Sequence, residues 1–472
     1  MDRDLILQST FKKIDDYITS NNTDPGKVIK FKSPAELTDI IDFKIHDTGV
    51  AEDEFISLID KYLEYSVRTG NMQFFSQLYS GFNFPAFIGD VLTTLTNTSM
   101  ATYEIAPVAT VIEKEMIGLM SSFAGYKDGE GIFVSGGSNA NLIAMLSARN
   151  QIFKEGRAKG YDSNLKLKAF VSENAHYSFE IAAGLIGTGT KSVVKIRTDT
   201  NGKMIPEELE NEIKRTLVRG ETPFFVAATC GTTMSGSFDP LVEISDICKR
   251  YDVWFHADGS LGGSLLLSDK YRYLMDGLER TDSFAWNPHK LMNIPLVCSM
   301  ILIKKRGILN QNVSDINKDY IFHDLDGIED LGEKSLQCGR KVDAVKLWFA
   351  MKYYGIKGYR QRIDNIFELA AYAEEIVNSH PNLELLISRQ SFTVCFRYVS
   401  DNVSDLNDLN LKIREHLRKS GKSVVNFGFI DNVLTIRLVT VNGELKRSDI
   451  DLFFENFLMV SQRVYKIYEI SA

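Results

Sequence analysis

Short apolar runs alternate with amphipathic stretches through the middle of the chain. Ala169-Phe170-Val171, Phe224 to Ala228, Val253 to His256, Phe284-Ala285-Trp286 and Met300 to Ile303 are mostly apolar runs of strand length. Strands apolar on both faces, separated by helical periodicity, predict a largely parallel sheet with helices on both sides. The alternation covers residues 96–355 and predicts one large domain there. Residues 1–95 read mainly as helices with polar loops, and Asn21 to Gly26 reads as a turn. Helical periodicity returns over Val342 to Tyr354 and again over Ile363 to Val377. Beyond Asn382 the runs shorten, as in Thr393 to Arg397 and Val433 to Arg437, which predicts a small α+β domain over 356–472.

Composition narrows this picture. A chain of 472 residues is too long for one ordinary domain. Hydrophobic residues make up 44 % and charged residues 25 %, as in globular proteins. The net charge of −8, 54 basic less 62 acidic residues, argues against nucleic acid or an anionic membrane as partner. Cys230, Cys248, Cys298, Cys338 and Cys395 show neither metal-knuckle nor redox-pair spacing, and their number is odd. A reduced, cytoplasmic setting without a metal is the expectation. Met1-Asp2-Arg3-Asp4 does not open a signal peptide, and the apolar runs are too short for a membrane span.

Candidate chemistry gathers just after the apolar runs, where ligands of parallel sheets bind. Lys290 closes Asn287-Pro288-His289-Lys290 after the run Phe284 to Trp286. A lysine is ordinarily a solvated charge, but one at a strand end can form an imine with an aldehyde cofactor. Ser135-Gly136-Gly137-Ser138-Asn139 follows Ile132-Phe133-Val134 and opens a helix. Such a turn is commonly a simple cap; it also suits a phosphate, through close backbone approach and free N–H groups. His176 could stack on a flat ring, or be an ordinary satisfied histidine. The hydroxyls of Ala228-Thr229-Cys230-Gly231-Thr232-Thr233, Thr233 among them, could bond a cofactor or its phosphate, or only their own backbone. Asp258 follows the run Val253 to His256, and a buried carboxylate there is costly unless paired; a pyridinium nitrogen would be a good partner. No Gly-x-Gly-x-x-Gly between a strand and a helix, Gly-x-Ser-x-Gly elbow, P-loop or metal-ligand spacing is present.

These motifs together, with Phe74 to Leu78, Thr102 to Val108 and Gln337-Cys338-Gly339-Arg340-Lys341-Val342-Asp343, resemble the group II pyridoxal-phosphate decarboxylases. Within that family the chain is most similar to the glutamate and cysteine-sulfinate decarboxylase branch, from about Tyr65 to about Leu458. The resemblance implies an aminotransferase-like (fold type I) homodimer with shared active sites. It implies pyridoxal 5'-phosphate as cofactor and loss of the α-carboxylate of an acidic amino acid as the reaction. Lys290 would then carry the cofactor, Asp258 would pair with its pyridine nitrogen and His176 would stack on its ring. Gly137, Ser138 and His289 would hold the phosphate with Asn287 close by, and Thr233 would contact the cofactor. Gln77 and Arg437 would bind the substrate carboxylate, the latter through its guanidinium fork.

Two departures from the family pattern bear on the outcome. Gly259, Ser260 and Leu261 stand where the family has two alanines and an aromatic residue, so Ser260 would add a hydroxyl beside the ring and Leu261 would remove an aromatic wall. The segment His323 to Lys334 lacks the loop tyrosine that protonates Cα in the family; Glu329 falls near its position, with Tyr320 and His323 just upstream. An alternative on the same scaffold is therefore decarboxylation coupled to oxidative deamination, giving an aldehyde. A catalytically silent partner subunit is the third reading, which the intact Lys290, Asp258 and His176 oppose.

Overall fold

The computed structural model describes residues 2–23, 27–160, 165–313, 320–322 and 329–471. The chain divides into two compact units. The larger comprises Asn83–Phe367 with Ile387–Ser391, and the smaller Met1–Phe82 with Glu368–Leu386 and Phe392–Ala472.

Among the described residues, the larger unit holds a seven-stranded sheet: β1 (Glu130–Val134), β2 (Leu167–Ser172), β3 (Val193–Ile196), β4 (Thr222–Thr229), β5 (Trp254–Gly259), β6 (Ser283–Trp286) and β7 (Ser299–Ile303). Their order across the sheet is β1-β7-β6-β5-β4-β2-β3. Pairing is parallel from β6 to β3, and β7 runs antiparallel to both β1 and β6. This is the mostly parallel α/β architecture of fold type I. Burial explains the continuous apolar runs: β4 is buried from Pro223 to Thr229, and β1, β6 and β7 throughout. Each fully buried Phe or Ile here contributes about 1.5–3 kcal/mol. The helix Gly137–Ile152 lies on one face, with Ala140, Ile143, Ala144 and Ala148 in the same core cluster as Val171, Phe225 and Ala285. No described helix is long and apolar enough to cross a membrane.

The smaller unit carries a five-stranded sheet. Leu383–Leu385, Thr393–Tyr398, Val433–Val439 and Val424–Ile430 pair antiparallel in that order, and Phe74–Phe75 adds a parallel edge against Val424-Val425. The last hairpin turns through Asp431 and Asn432, with φ of 49° and 64°. Asp and Asn tolerate this left-handed backbone, which a two-residue hairpin of this twist requires. Two local expectations change. The helix Arg3–Thr23 takes in the first three residues of the Asn21 to Gly26 cluster, and residues 24–26 lie outside the described ones. The two helical patterns after Val342 form one run, Ala344–Ser379, interrupted at Gly355, whose φ of 64° and ψ of 176° break the helix as only glycine does cheaply.

Candidate active site

The strand ends of the larger unit bring together the residues singled out between 135 and 290. β1 runs into the Ser135–Ser138 turn, and β5 ends on Asp258-Gly259. β6 ends at Trp286, and Lys290 follows in a turn in which its N–H bonds Asn287 O at 3.0 Å. The Lys290 charge is felt by Asp258, His176 and His289, so these groups lie near one another.

The Ser135–Ser138 turn is built as an anion cradle. Gly136, at φ 130°, caps the helix Gly137–Ile152 without any side-chain cap bond, so the first N–H groups of a long helix are offered outward. A Cβ on Gly137 would sit 2.5 Å from Ser260 Oγ and 2.8 Å from Asn287 Nδ2, so only glycine fits there. Asn287 Oδ1 accepts from Ser299 Oγ at 2.5 Å, which turns the amide so that its NH2 end faces the turn. His289 is buried, and its Nδ1 lies 2.6 Å from Cys298 O; burial pulls the imidazole down to about 4. β1 itself is anchored one residue before it ends. Glu113 accepts from Phe133 N–H at 3.2 Å and pairs with the buried Arg340 at 2.8 Å, which also donates to Phe133 O at 3.3 Å. The Gln337 to Asp343 motif thus holds the strand that presents the cradle.

Asp258 is 5 % exposed. Its Oδ1 accepts from Ser260 N–H at 3.1 Å and its Oδ2 from Asn141 Nδ2 at 2.8 Å. Burial pushes the carboxyl upward, but Ser260, the Lys290 charge and Asn141 outweigh it and hold Asp258 below the ordinary carboxylate range. It is an ionised acceptor at neutral pH. His176, half-buried, accepts from Ser178 N–H through Nδ1 at 3.3 Å, and burial lowers it, so it is a neutral ring. Its ring lies 4.2 Å from that of Tyr177.

Pyridoxal phosphate fits this set of groups: an N-terminal cradle for its phosphate, a carboxylate for its pyridine nitrogen, a lysine for its aldehyde and a flat neutral ring. Thr233 lies exposed on its loop. Thr229 is the buried threonine; its register partner is Asp258, and its Oγ1 has no hydrogen-bond partner within the protein. Parallel partners share a sheet face, so this orphaned hydroxyl sits beside Asp258, where a ring oxygen could satisfy it. Thr229 is one of the loop hydroxyls the sequence offers for a cofactor, and its pairing with Asp258 singles it out from Thr232 and Thr233; Asn141, Ser178 and His256 carry no such signal in the sequence.

The residues that depart from the family pattern have local causes. A Cβ on Gly259 would lie 2.2 Å from the Phe284 ring, so the missing methyl and the aromatic ring belong together. Leu261 is buried against the Gly231 turn, where a Cβ on Gly231 would meet its own Cβ at 3.2 Å. Glu329 pairs with Lys334 at 2.6 Å and lies 3.7 Å from Lys114. Burial raises its carboxyl, but Lys334 prevails and keeps it below the usual range, which makes it a poor proton donor. Tyr320 is exposed, and His323 lies outside the described residues. In the smaller unit, Arg437 is 4 % exposed and donates through Nη2 to Ser76 O at 2.9 Å, next to Gln77 in sequence.

Known proteins resemble this chain over most of its length. Residues 34–399 match the model of the pyridoxal-dependent decarboxylase conserved domain. Cysteine sulfinic acid decarboxylase of Mus musculus is 35 % identical over 474 residues, covering 97 % of this chain and 96 % of its own. Acidic amino acid decarboxylase GADL1 of Xenopus tropicalis is 35 % identical over 443 residues, covering 91 % and 87 %. The crystal structure of mouse CSAD superposes with a TM-score of 0.94 at 34 % identity, over 98 % of this chain and 99 % of that one.

Proposed function

The chain belongs to the pyridoxal-dependent decarboxylase family, and from that membership we propose that it removes the α-carboxylate of an acidic amino acid, releasing carbon dioxide and the amine. The observation that carries this reading is the ionised, doubly hydrogen-bonded Asp258 within the field of Lys290, beside a cradle that only glycine permits.

When bound, pyridoxal phosphate supplies a protonated pyridine ring that takes up the electron pair left by the departing carboxylate. The protein supplies position and charge. Lys290 Nζ would hold the cofactor through its aldehyde carbon. Asp258 would hold the proton on the pyridine nitrogen. The N–H groups at Gly137 and Ser138, with Asn287 Nδ2 and His289, would hold the phosphate, and the neutral His176 ring would cover the cofactor. Ser260 would add a hydroxyl at the cofactor's edge, and Thr233 or the orphaned Thr229 hydroxyl would bond it. Gln77 and Arg437 bind the substrate's carboxylate, for which a guanidinium fork is suited.

We further propose that two copies associate. The helices Phe84–Thr96 and Pro107–Phe123 and the link between them expose Leu95, Ile105, Val108 and Val111, an apolar face a second copy would cover. Sedimentation of the purified protein tests this. Five cysteines, none in a disulfide, support a cytoplasmic setting.

The test of the reaction is purified protein with a panel of amino acids, products read by mass spectrometry. Amine and carbon dioxide from an acidic amino acid are expected, with a visible absorbance band from lysine-bound cofactor that is lost in Lys290→Ala. A band that persists in Lys290→Ala would sink the assignment. One observation favours a second outcome: no tyrosine lies between Ile321 and Gln337, and Glu329 is tied up by Lys334. Oxygen uptake with aldehyde formation would identify it.

A further inference from the structure

Three alternate residues of β5, Trp254, His256 and Asp258, point to the sheet face covered by the helix Gly137–Ile152. A line of hydrogen bonds joins them through partners on neighbouring elements. Trp254 Nε1 lies 2.8 Å from Ser283 Oγ, which lies 2.9 Å from His256 Nδ1. His256 Nε2 lies 3.0 Å from Asn141 Oδ1, and Asn141 Nδ2 lies 2.8 Å from Asp258 Oδ2. Both ends of this line are chemically unambiguous. An indole nitrogen only donates, and an ionised carboxylate only accepts. From the carboxylate end, the links through Asn141 to His256 Nε2 therefore have one permitted direction, and on a neutral imidazole Nδ1 is then the acceptor for the Ser283 hydroxyl. Trp254 donates to Ser283, Ser283 to His256 Nδ1, His256 Nε2–H to the Asn141 carbonyl, and the Asn141 amide to Asp258.

His256, Asn141 and Ser283 are wholly buried. Burial lowers His256 to about 4, so it is the neutral tautomer this direction requires. The second hydrogen of Asn141 Nδ2 goes to Ser178 Oγ at 3.0 Å, two residues from His176. One amide thus serves both the carboxylate and the turn that carries the stacking ring.

We propose that Trp254, Ser283, His256 and Asn141 form a one-way hydrogen-bond relay of positioning residues that keeps the amide end of Asn141 on Asp258, and so sets how strongly Asp258 holds the proton of the cofactor's pyridine nitrogen. The inference rests on the cofactor assignment above. Without His256 Nε2–H, nothing in the line prevents Asn141 from flipping its carbonyl toward the carboxylate, where two acceptors would oppose each other.

The experiment uses holoenzyme loaded with pyridoxal phosphate labelled with nitrogen-15 in the ring, read by nuclear magnetic resonance. His256→Phe keeps a ring against Phe225, with which His256 stacks at 5.7 Å, but removes both nitrogens. The labelled signal is expected to move toward that of a neutral pyridine, with kcat lower by roughly tenfold or more and KM within about twofold, the size seen for partners of directly acting groups. His256→Gln, which can place a donor near the Nε2 position, is expected to restore the wild-type signal. Ser283→Ala and Trp254→Phe each remove one bond and should move the signal in the same direction by less, and they serve if His256→Phe does not fold. An unmoved signal in these folded variants overturns the relay. A wild-type protein that shows no protonated-ring signal overturns the cofactor assignment instead.

Discussion

Asp258 and Glu329 are both carboxylates of the larger unit held ionised, by opposite means. Asp258 sits inside the sheet and is held by two N–H donors whose own partners are fixed. Glu329 is 43 % exposed at its side chain and is held by the ammonium groups of Lys114 and of Lys334, the latter mostly buried and also 3.5 Å from the buried Glu130. Fixed amides set a direction; an ammonium sets only a charge, which water screens at an exposed carboxylate. On the proposed assignment, the fold builds the electron-accepting end of the reaction into its core, while the carboxylate at 329 stays at the solvent edge, tied by two lysines.

Removing the charge from each carboxylate sharpens this contrast most. Asp258→Asn keeps the shape and loses the anion, and kcat is expected to fall by about 10²–10⁴, the range for removing a key electrostatic partner. Activity within tenfold of wild type would mean that Asp258 is not the pyridine partner. A smaller effect concerns stability. His256 is near 4 in the folded chain and near 6.5 when unfolded. Between those values the unfolded chain takes up a proton that the folded one refuses, so stability falls as pH drops from 6.5 and the loss is complete below 4. The wild type should lose about 3 kcal/mol relative to His256→Gln across that window. Parallel denaturant curves for both proteins at pH 7 and pH 4 check it; identical pH slopes would show that His256 does not titrate as a buried neutral group. The smallest effect belongs to Glu329→Gln, expected to change the decarboxylation rate by less than about twofold, as for a carboxylate whose charge is screened by solvent. A tenfold fall, or a changed ratio of amine to aldehyde, would give Glu329 a direct part and dissolve the contrast.

The strand-end positions of Lys290 and Asp258 were legible because each follows an apolar run. The parallel sheet was legible from strands apolar on both faces. Asn141 was not, because an asparagine inside a helical stretch has no local signature; only the packing of Gly137–Ile152 on β5 gives it a partner. His256 could have been found by alternation, since it lies two residues before Asp258 and shares its face. The pairing of Phe74-Phe75 with Val424-Val425 joins residues some 350 positions apart, and no periodicity carries information over that separation. The proton donor to Cα was least legible, since the segment His323 to Lys334 has no tyrosine to mark it, and half of that segment, residues 323–328, lies outside the described structure.

The fit between Gly259 and Phe284 couples two neighbouring strands just where Asp258 leaves the sheet. A methyl at 259 would lie 2.2 Å from the Phe284 ring, so alanine at 259 is accommodated only if the ring moves or is replaced by a smaller side chain. The two positions work as the halves of a lock: neither is exchanged without the other, and the backbone that presents Asp258 is seated by both.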